Sequence, residues 1–172
     1  MRRIAVAVLA AGAVVAVVAG CGGAGAGPFA WPSDAGTTTI GSPVRPGQTS
    51  AMTIGLPRTS TTPAVLLDVH PLHPEDARGL TLRYGATTGL GLELAGQHGW
   101  NARKWQLRPL AGFVIPARVT GGVTIGAASR QPGLHELHGF VVDYRIGGTR
   151  YSATMQMNFA LCVGMASCPS GL

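Results

Sequence analysis

From Ser50 onward, apolar residues recur at every second position. Met52, Ile54 and Leu56 alternate with polar or small neighbours, then Val65, Leu67 and Val69, then Leu80, Leu82 and Tyr84, then Leu90, Leu92 and Leu94. A period of two is that of a half-buried strand, and turn residues separate the runs at short intervals. A further pair of strands is predicted through Phe113 to Val119 and Val123 to Ala127, with Gly121-Gly122 between them. The pattern predicts an all-β chain folded as an immunoglobulin-like antiparallel β-sandwich over residues 50–168, with a short tail at 169–172.

The clearest element is a hairpin in "GFVVDYRIGGTRYSATMQMNFALC", where Gly147-Gly148 stands between two alternating runs as a two-residue primed turn requires. Such a turn pairs Ile146 with Thr149, Arg145 with Arg150 and Tyr144 with Tyr151. One face then carries Phe140, Val142, Tyr144, Ile146, Tyr151, Ala153, Met155, Met157, Phe159 and Leu161. The other carries Asp143, Arg145, Arg150, Ser152, Thr154, Gln156 and Asn158. Continued without interruption, the same register sets His138 opposite Met157 and near Met155.

The N-terminal part is patterned differently. Arg2 and Arg3 precede an uncharged apolar run, Ile4 to Val18, which has the length of a signal-peptide core and falls short of the ~20 residues of a membrane span. Residues 1–20 are therefore predicted to be an export signal; the paired arginines leave the Sec and twin-arginine routes both open. From Gly22 to about Gln48 the chain is rich in Gly, Ser, Thr, Ala and Pro, so residues 21–49 are predicted to be a flexible tether with an r.m.s. reach of about 25 to 30 Å. Phe29 and Trp31 are its aromatic exceptions, expected either to dock on the domain or to lie at lipid headgroups.

Between these segments, Val18-Ala19-Gly20-Cys21 resembles the lipobox of bacterial lipoproteins: an aliphatic residue, two small ones and a cysteine. The resemblance covers the N-terminus alone. It implies that the Cys21 thiol receives diacylglycerol, that signal peptidase II cuts before it, and that the chain is held on the extracytoplasmic face of the cell membrane. Two acyl chains make such residence stable, at about 0.8 kcal/mol for each buried methylene. A competing cleavage after Ala24-Gly25-Ala26 would discard Cys21 and release a soluble protein. With Cys21 lipidated, Cys162 and Cys168 remain as a pair, expected to close a disulfide in an oxidising compartment and to contribute roughly 2 kcal/mol. The stretch "PGLHELHGFVVDYRIGGTRY" is similar to the final strands of small secreted β-sandwich domains in actinobacterial envelope proteins, a structural likeness that carries over no functional residue.

Composition narrows the function classes. Of 172 residues, 46% are hydrophobic and 12% charged, and 26 Gly with 12 Pro favour short strands over helices. The formal net charge of +6 includes Arg2 and Arg3, and the remaining arginines are scattered, so no nucleic-acid partner is expected. Lys104 is the only lysine, in keeping with a GC-rich bacterial genome.

Two constellations could carry chemistry. His70 and His73, and His135 and His138, form two H-x-x-H pairs; His138 with Met155 and Met157 would suit copper, the thioethers being soft ligands. On a strand, residues three apart face opposite ways, so either pair chelates only from a turn. The loop "HPLHPED" is one such turn, with Glu75 and Asp76 as further oxygen donors. The second constellation is "HGWNARKWQLRP": Trp100 and Trp105 bracket Arg103 and Lys104, with Arg108 beyond, a set suited to a glycan or a lipid headgroup, the alternative being indoles that merely pack. No nucleophile elbow, zinc-protease motif or phosphate-cradling loop is present, and no enzyme activity is expected. The expected protein is a membrane-anchored cell-envelope lipoprotein presenting a non-catalytic binding or adaptor module, its partners an envelope glycan, a lipid headgroup or another protein. The alternative is an extracytoplasmic copper-binding or copper-transfer protein.

Overall fold

The computed structural model describes residues 27–29, 38–56, 61–88 and 97–170. Cys21 and its neighbours, Trp31, and the predicted run Leu90, Leu92 and Leu94 lie outside the described residues. The strands are β1 (Thr38–Val44), β2 (Ser50–Leu56), β3 (Ala64–Pro71), β4 (Thr81–Thr88), β5 (Gln97–His98), β6 (Val114–Ile115), β7 (Gly121–Ala128), β8 (Gly133–Ile146) and β9 (Thr149–Val163). Single 3-10 turns lie at Gly27–Phe29 and Pro74–Ala77.

They form a five-stranded sheet, ordered β1-β9-β8-β3-β6, and a four-stranded sheet, ordered β4-β7-β2-β5. The neighbours β3-β8-β9 in one sheet and β2-β7 in the other are the C-F-G and B-E neighbours of an immunoglobulin-like sandwich. Between the layers, Leu66, Val69, Phe140, Val142, Tyr144, Met155 and Phe159 from the first meet Met52, Ile54, Leu56, Val123 and Ile125 from the second. All of these are buried, which is the hydrophobic reason for the two sheets to stack.

The hairpin forms as its sequence predicts: Ile146 pairs with Thr149, Arg145 with Arg150 and Tyr144 with Tyr151. Further along, the register slips by one at Gly139, so that Phe140 faces Met155 but His138 faces Asn158, not Met157. Gly139 has φ +94°, and a β-carbon there would lie 2.7 Å from the Met155 carbonyl oxygen. This β-bulge keeps Leu137 buried and turns His138 outward.

Other expectations are corrected. Strand β1 and the turn before it fall inside the predicted tether. Strand β1 pairs in parallel with β9, Thr38 with Met157 through Val44 with Val163, the one parallel ladder among the described residues. Its inward side consists of Ile40, Ser42 and Val44; Ser42 is buried because its hydroxyl accepts a 2.7 Å bond from the Ser50 hydroxyl. A serine in an apolar row conceals the period, and Pro43 is tolerated because β1 is an edge strand. In β3 the inward residues are Ala64, Leu66 and Val69, not Val65 and Leu67, because an irregularity between Leu66 and Asp68 shifts the phase. Gly121-Gly122 is no turn: it opens β7, while β6 belongs to the other sheet.

Before β1, Phe29 is fully buried, its ring 4.2 Å from that of Tyr144, and its backbone N–H donates to the Tyr144 hydroxyl at 3.1 Å. Tyr144 in turn stacks on Tyr151 at 5.3 Å. Phe29 thereby closes the core at the hairpin end. Phe29→Ala is expected to lower the stability of the domain by about 3–5 kcal/mol, read from the shift in urea midpoint at constant slope. A midpoint that does not move would mean that this segment is a free tether after all.

Candidate functional site

The tryptophan-arginine loop lies on the outer face of the four-stranded sheet. Trp100 rests on β7, where a β-carbon at Gly126 would come within 2.5 Å of its ring, so the absence of a side chain makes room for the indole. Trp105 is buried and meets Trp100 edge to face, centroids 6.3 Å apart. The backbone between them is wound by local bonds: Trp105 N–H to the Asn101 carbonyl at 3.0 Å, Leu107 N–H to Ala102 at 2.8 Å, and Lys104 N–H to the Asn101 side chain at 2.8 Å. Arg108 then exchanges two backbone bonds with Ala86 of β4, at 2.9 and 3.0 Å. The indoles act as packing, holding the loop to the sheet.

The arginines of the loop are placed differently. Arg103 and Arg108 line a groove of about 640 Å³ with Thr87, Thr88, Gln106 and Val114. It runs from the end of β4 in one sheet to β6 in the other. Among the described residues no carboxylate lines it, and every ion pair is formed by a histidine. Arg103 and Arg108 are exposed and form no ion pair among the described residues; threonines and Gln106 line the same groove. Such a set offers forked donors to a phosphate or carboxylate. Of the four residues expected from the sequence, the structure brings Arg103 and Arg108 into one groove and assigns Trp100 and Trp105 to its support. Thr87, Thr88 and Val114 escape a reading of the sequence, because the two threonines meet the loop through the β4–Arg108 bridge and Val114 belongs to β6 of the other sheet.

The histidines are distributed over several partners. His70 Nε2 lies 3.5 Å from Asp143, His73 Nδ1 3.7 Å from Glu75, His135 Nε2 2.9 Å from the Gln131 carbonyl, and His138 Nδ1 2.9 Å from Asp76. Ser152 donates its hydroxyl to Asp143, so Asp143 stands between Ser152 and His70. That order does not activate a nucleophile, for which the imidazole must stand between serine and acid. Met155 is buried in the core and Met157 packs against it, whereas the bulge at Gly139 exposes His138 on the opposite face. The three copper candidates are thus not brought together, contrary to the uninterrupted register. Among the described residues no three His, Cys, Asp or Glu side chains form a group able to hold a metal ion.

Cys162 and Cys168 are joined in a disulfide, with Cα atoms 5.4 Å apart, which folds the segment after β9 back onto the strand. Cys21 lies outside the described residues.

With this arrangement the domain is an immunoglobulin-like β-sandwich carrying a basic groove at one side. The chain is similar to the ASH / PapD-like domain of human CEP192 (PapD-like domain 7), at 14% identity over 76% of this chain and 84% of that one, with a TM-score of 0.38. No family model and no curated protein sequence matches the chain.

Asp76 ties the β3–β4 connection to the bulge, accepting from both the backbone N–H and the ring of His138 at 2.9 Å. Burial pulls its carboxyl pKa upward. The His138 backbone bond, the His138 ring bond and the charges of His138 and His73 outweigh this and hold it below its ordinary 3.8. A folded-state value below the unfolded one contributes stability that is present above 3.8 and is lost as pH falls through the lowered value. Asp76→Asn is expected to cost about 1 kcal/mol at neutral pH and to flatten the decline of the thermal midpoint between about pH 4 and pH 2. Parallel acid profiles for variant and wild type would contradict this.

Proposed function

We propose that the chain is a lipid-anchored lipoprotein of the extracytoplasmic face of the cell membrane, and that its sandwich is a non-catalytic binding module whose basic groove takes an anionic group on an envelope glycan or lipid headgroup. The anchor is supported by Val18-Ala19-Gly20-Cys21 directly after the apolar run Ile4 to Val18. The binding role rests on one observation above all: Arg103 and Arg108 line one groove, with no carboxylate among its described lining residues. A guanidinium satisfied within the fold would be a structural device; these two residues are exposed and line a groove of about 640 Å³, room for a sugar phosphate.

The buried β-strand scaffold suits such a role because Arg108 is fixed to β4 by backbone bonds, which removes much of the ordering cost that a mobile loop would carry on binding. Specificity would come from the exposed Thr88 and Gln106 at the groove's rim, with Phe113 offering an apolar wall.

Cys21→Ala is expected to move the protein from the membrane fraction to the soluble fraction and to lower its mass by the acyl groups; unchanged fractionation and mass would end the lipoprotein assignment. For the groove, calorimetric titration with a phosphorylated disaccharide is expected to give saturable binding that its unphosphorylated counterpart lacks. Arg108→Ala should weaken it roughly tenfold or more, the range of a charge-assisted bond. Equal affinity for both sugars would remove the anionic specificity from the proposal.

A further inference from the structure

The strands define two ends of the sandwich. At one end lie the β8–β9 turn, the start of β3, the β6–β7 connection and the docked Gly27–Phe29 turn; at the other lie the β1–β2 turn and the Cys162–Cys168 disulfide. At the hairpin end one row crosses the outer face of the five-stranded sheet: Arg150 beside Arg145, Arg145 beside Val65, Val65 beside Val114. Both arginines are exposed, and Val114 is 52% exposed, the most open of the large apolar side chains described. Arg118 stands in the β6–β7 connection at the same end. The tip itself is Gly147-Gly148, which has no side chain to hold the arginines away from a flat surface.

Asp68 and Asp143 lie one outward row further from the tip, where they line one hollow with Arg150, and Asp143 is engaged by Ser152 and His70. None forms an ion pair with these arginines. Phe29 is buried at this end, so Gly27, the first described residue, also lies there. Five residues separate Cys21 from Gly27, a contour of at most about 20 Å, in place of the longer tether expected from composition.

We infer that the hairpin end is a membrane-facing surface that lies on anionic lipid headgroups, with Arg118, Arg145 and Arg150 contacting phosphates and Val114 at the level of the glycerol backbone. This rests on the lipoprotein assignment for its geometry: a lipid on Cys21 keeps this end, and not the disulfide end, within reach of the bilayer. Each arginine near an anionic surface strengthens adsorption by a factor of roughly five.

The test is arginine footprinting of the full-length protein with a dicarbonyl reagent and mass spectrometry. Vesicles of phosphatidylcholine alone are compared with vesicles containing phosphatidylglycerol. Arg118, Arg145 and Arg150 are expected to react several-fold more slowly on the anionic vesicles, while Arg45, Arg83 and Arg130 at the far end keep their rates. Uniform protection at both ends, or none at the hairpin end, overturns the inference. The double variant Arg145→Gln/Arg150→Gln, at exposed positions and checked for its unfolding midpoint, should also lose the protection of Arg118; retained protection counts against the surface. A Cys21→Ala sample run in parallel separates the two ideas. If it fractionates like wild type the anchor assignment fails, yet the contrast between the two sets of arginines still decides whether this end recognises anionic lipid.

Discussion

Strands β8 and β9 exchange backbone bonds from the Gly147-Gly148 turn to the Gly133–Val163 pair, and the rest of the five-stranded sheet is built outward from them, β3 on β8 and β1 on β9. Their alternation decides which side chains enter the core. Tyr144 and Tyr151 stack across the pair, and Phe29 is drawn in beside them by an N–H bond that gives the buried phenol hydroxyl an internal partner. Burial raises the Tyr144 pKa, a tendency that the Phe29 N–H opposes and Tyr151 adds to, so the phenol is neutral at physiological pH. An apolar plug and a polar contact thus depend on the same residue pair, and the position of the N-terminal segment depends on both.

Much of this architecture was legible because it is local. A Gly-Gly turn between two alternating runs states its own register, and the strands at Met52 to Leu56 and Leu80 to Tyr84 follow the same rule. The failures all have a non-local cause. The bulge at Gly139 leaves no room for a β-carbon, which would meet the Met155 carbonyl, and the Gly139 carbonyl accepts from the Leu72 N–H, partners distant in sequence. Strand β1 looks like linker because Ser42 is inward and finds Ser50, and Gly121-Gly122 looks like a turn although it is the start of a central strand packed beside Thr53 and Thr87. Of the candidate site, Arg103 and Arg108 were legible as cations near tryptophans. The hydroxyls and the valine that complete the groove were not, since β4 and β6 meet the loop only in three dimensions.

Charge in this molecule is partitioned by type. The carboxylates of Asp143, Asp76 and Glu75 are taken up by histidines along the β3–β8 face, whereas Arg103 and Arg108 at the groove, and Arg145 and Arg150 at the hairpin, form no ion pair among the described residues. Side chains held in internal pairs fix loops to the sheet, as Asp76 fixes the turn Pro74–Ala77 to the bulge. Unpaired cations on a fixed scaffold are the opposite device, a field that remains available to whatever approaches.

The parallel pairing of β1 with β9 also has a mechanical meaning. Strand β1 begins nearer the hairpin end and β9 finishes at the opposite end, so a pull applied to those two strand ends would slide the strands past one another and load their bonds together, in shear, instead of unzipping them one at a time. The disulfide alters where that load arrives. Tension on the segment after Cys168 passes through the sulfur bridge directly to Cys162, opposite Pro43, and the residues between the two cysteines carry none of it. The bridge shortens the path by which force applied beyond Cys168 reaches the sheet and keeps the turn after β9 from being stretched out.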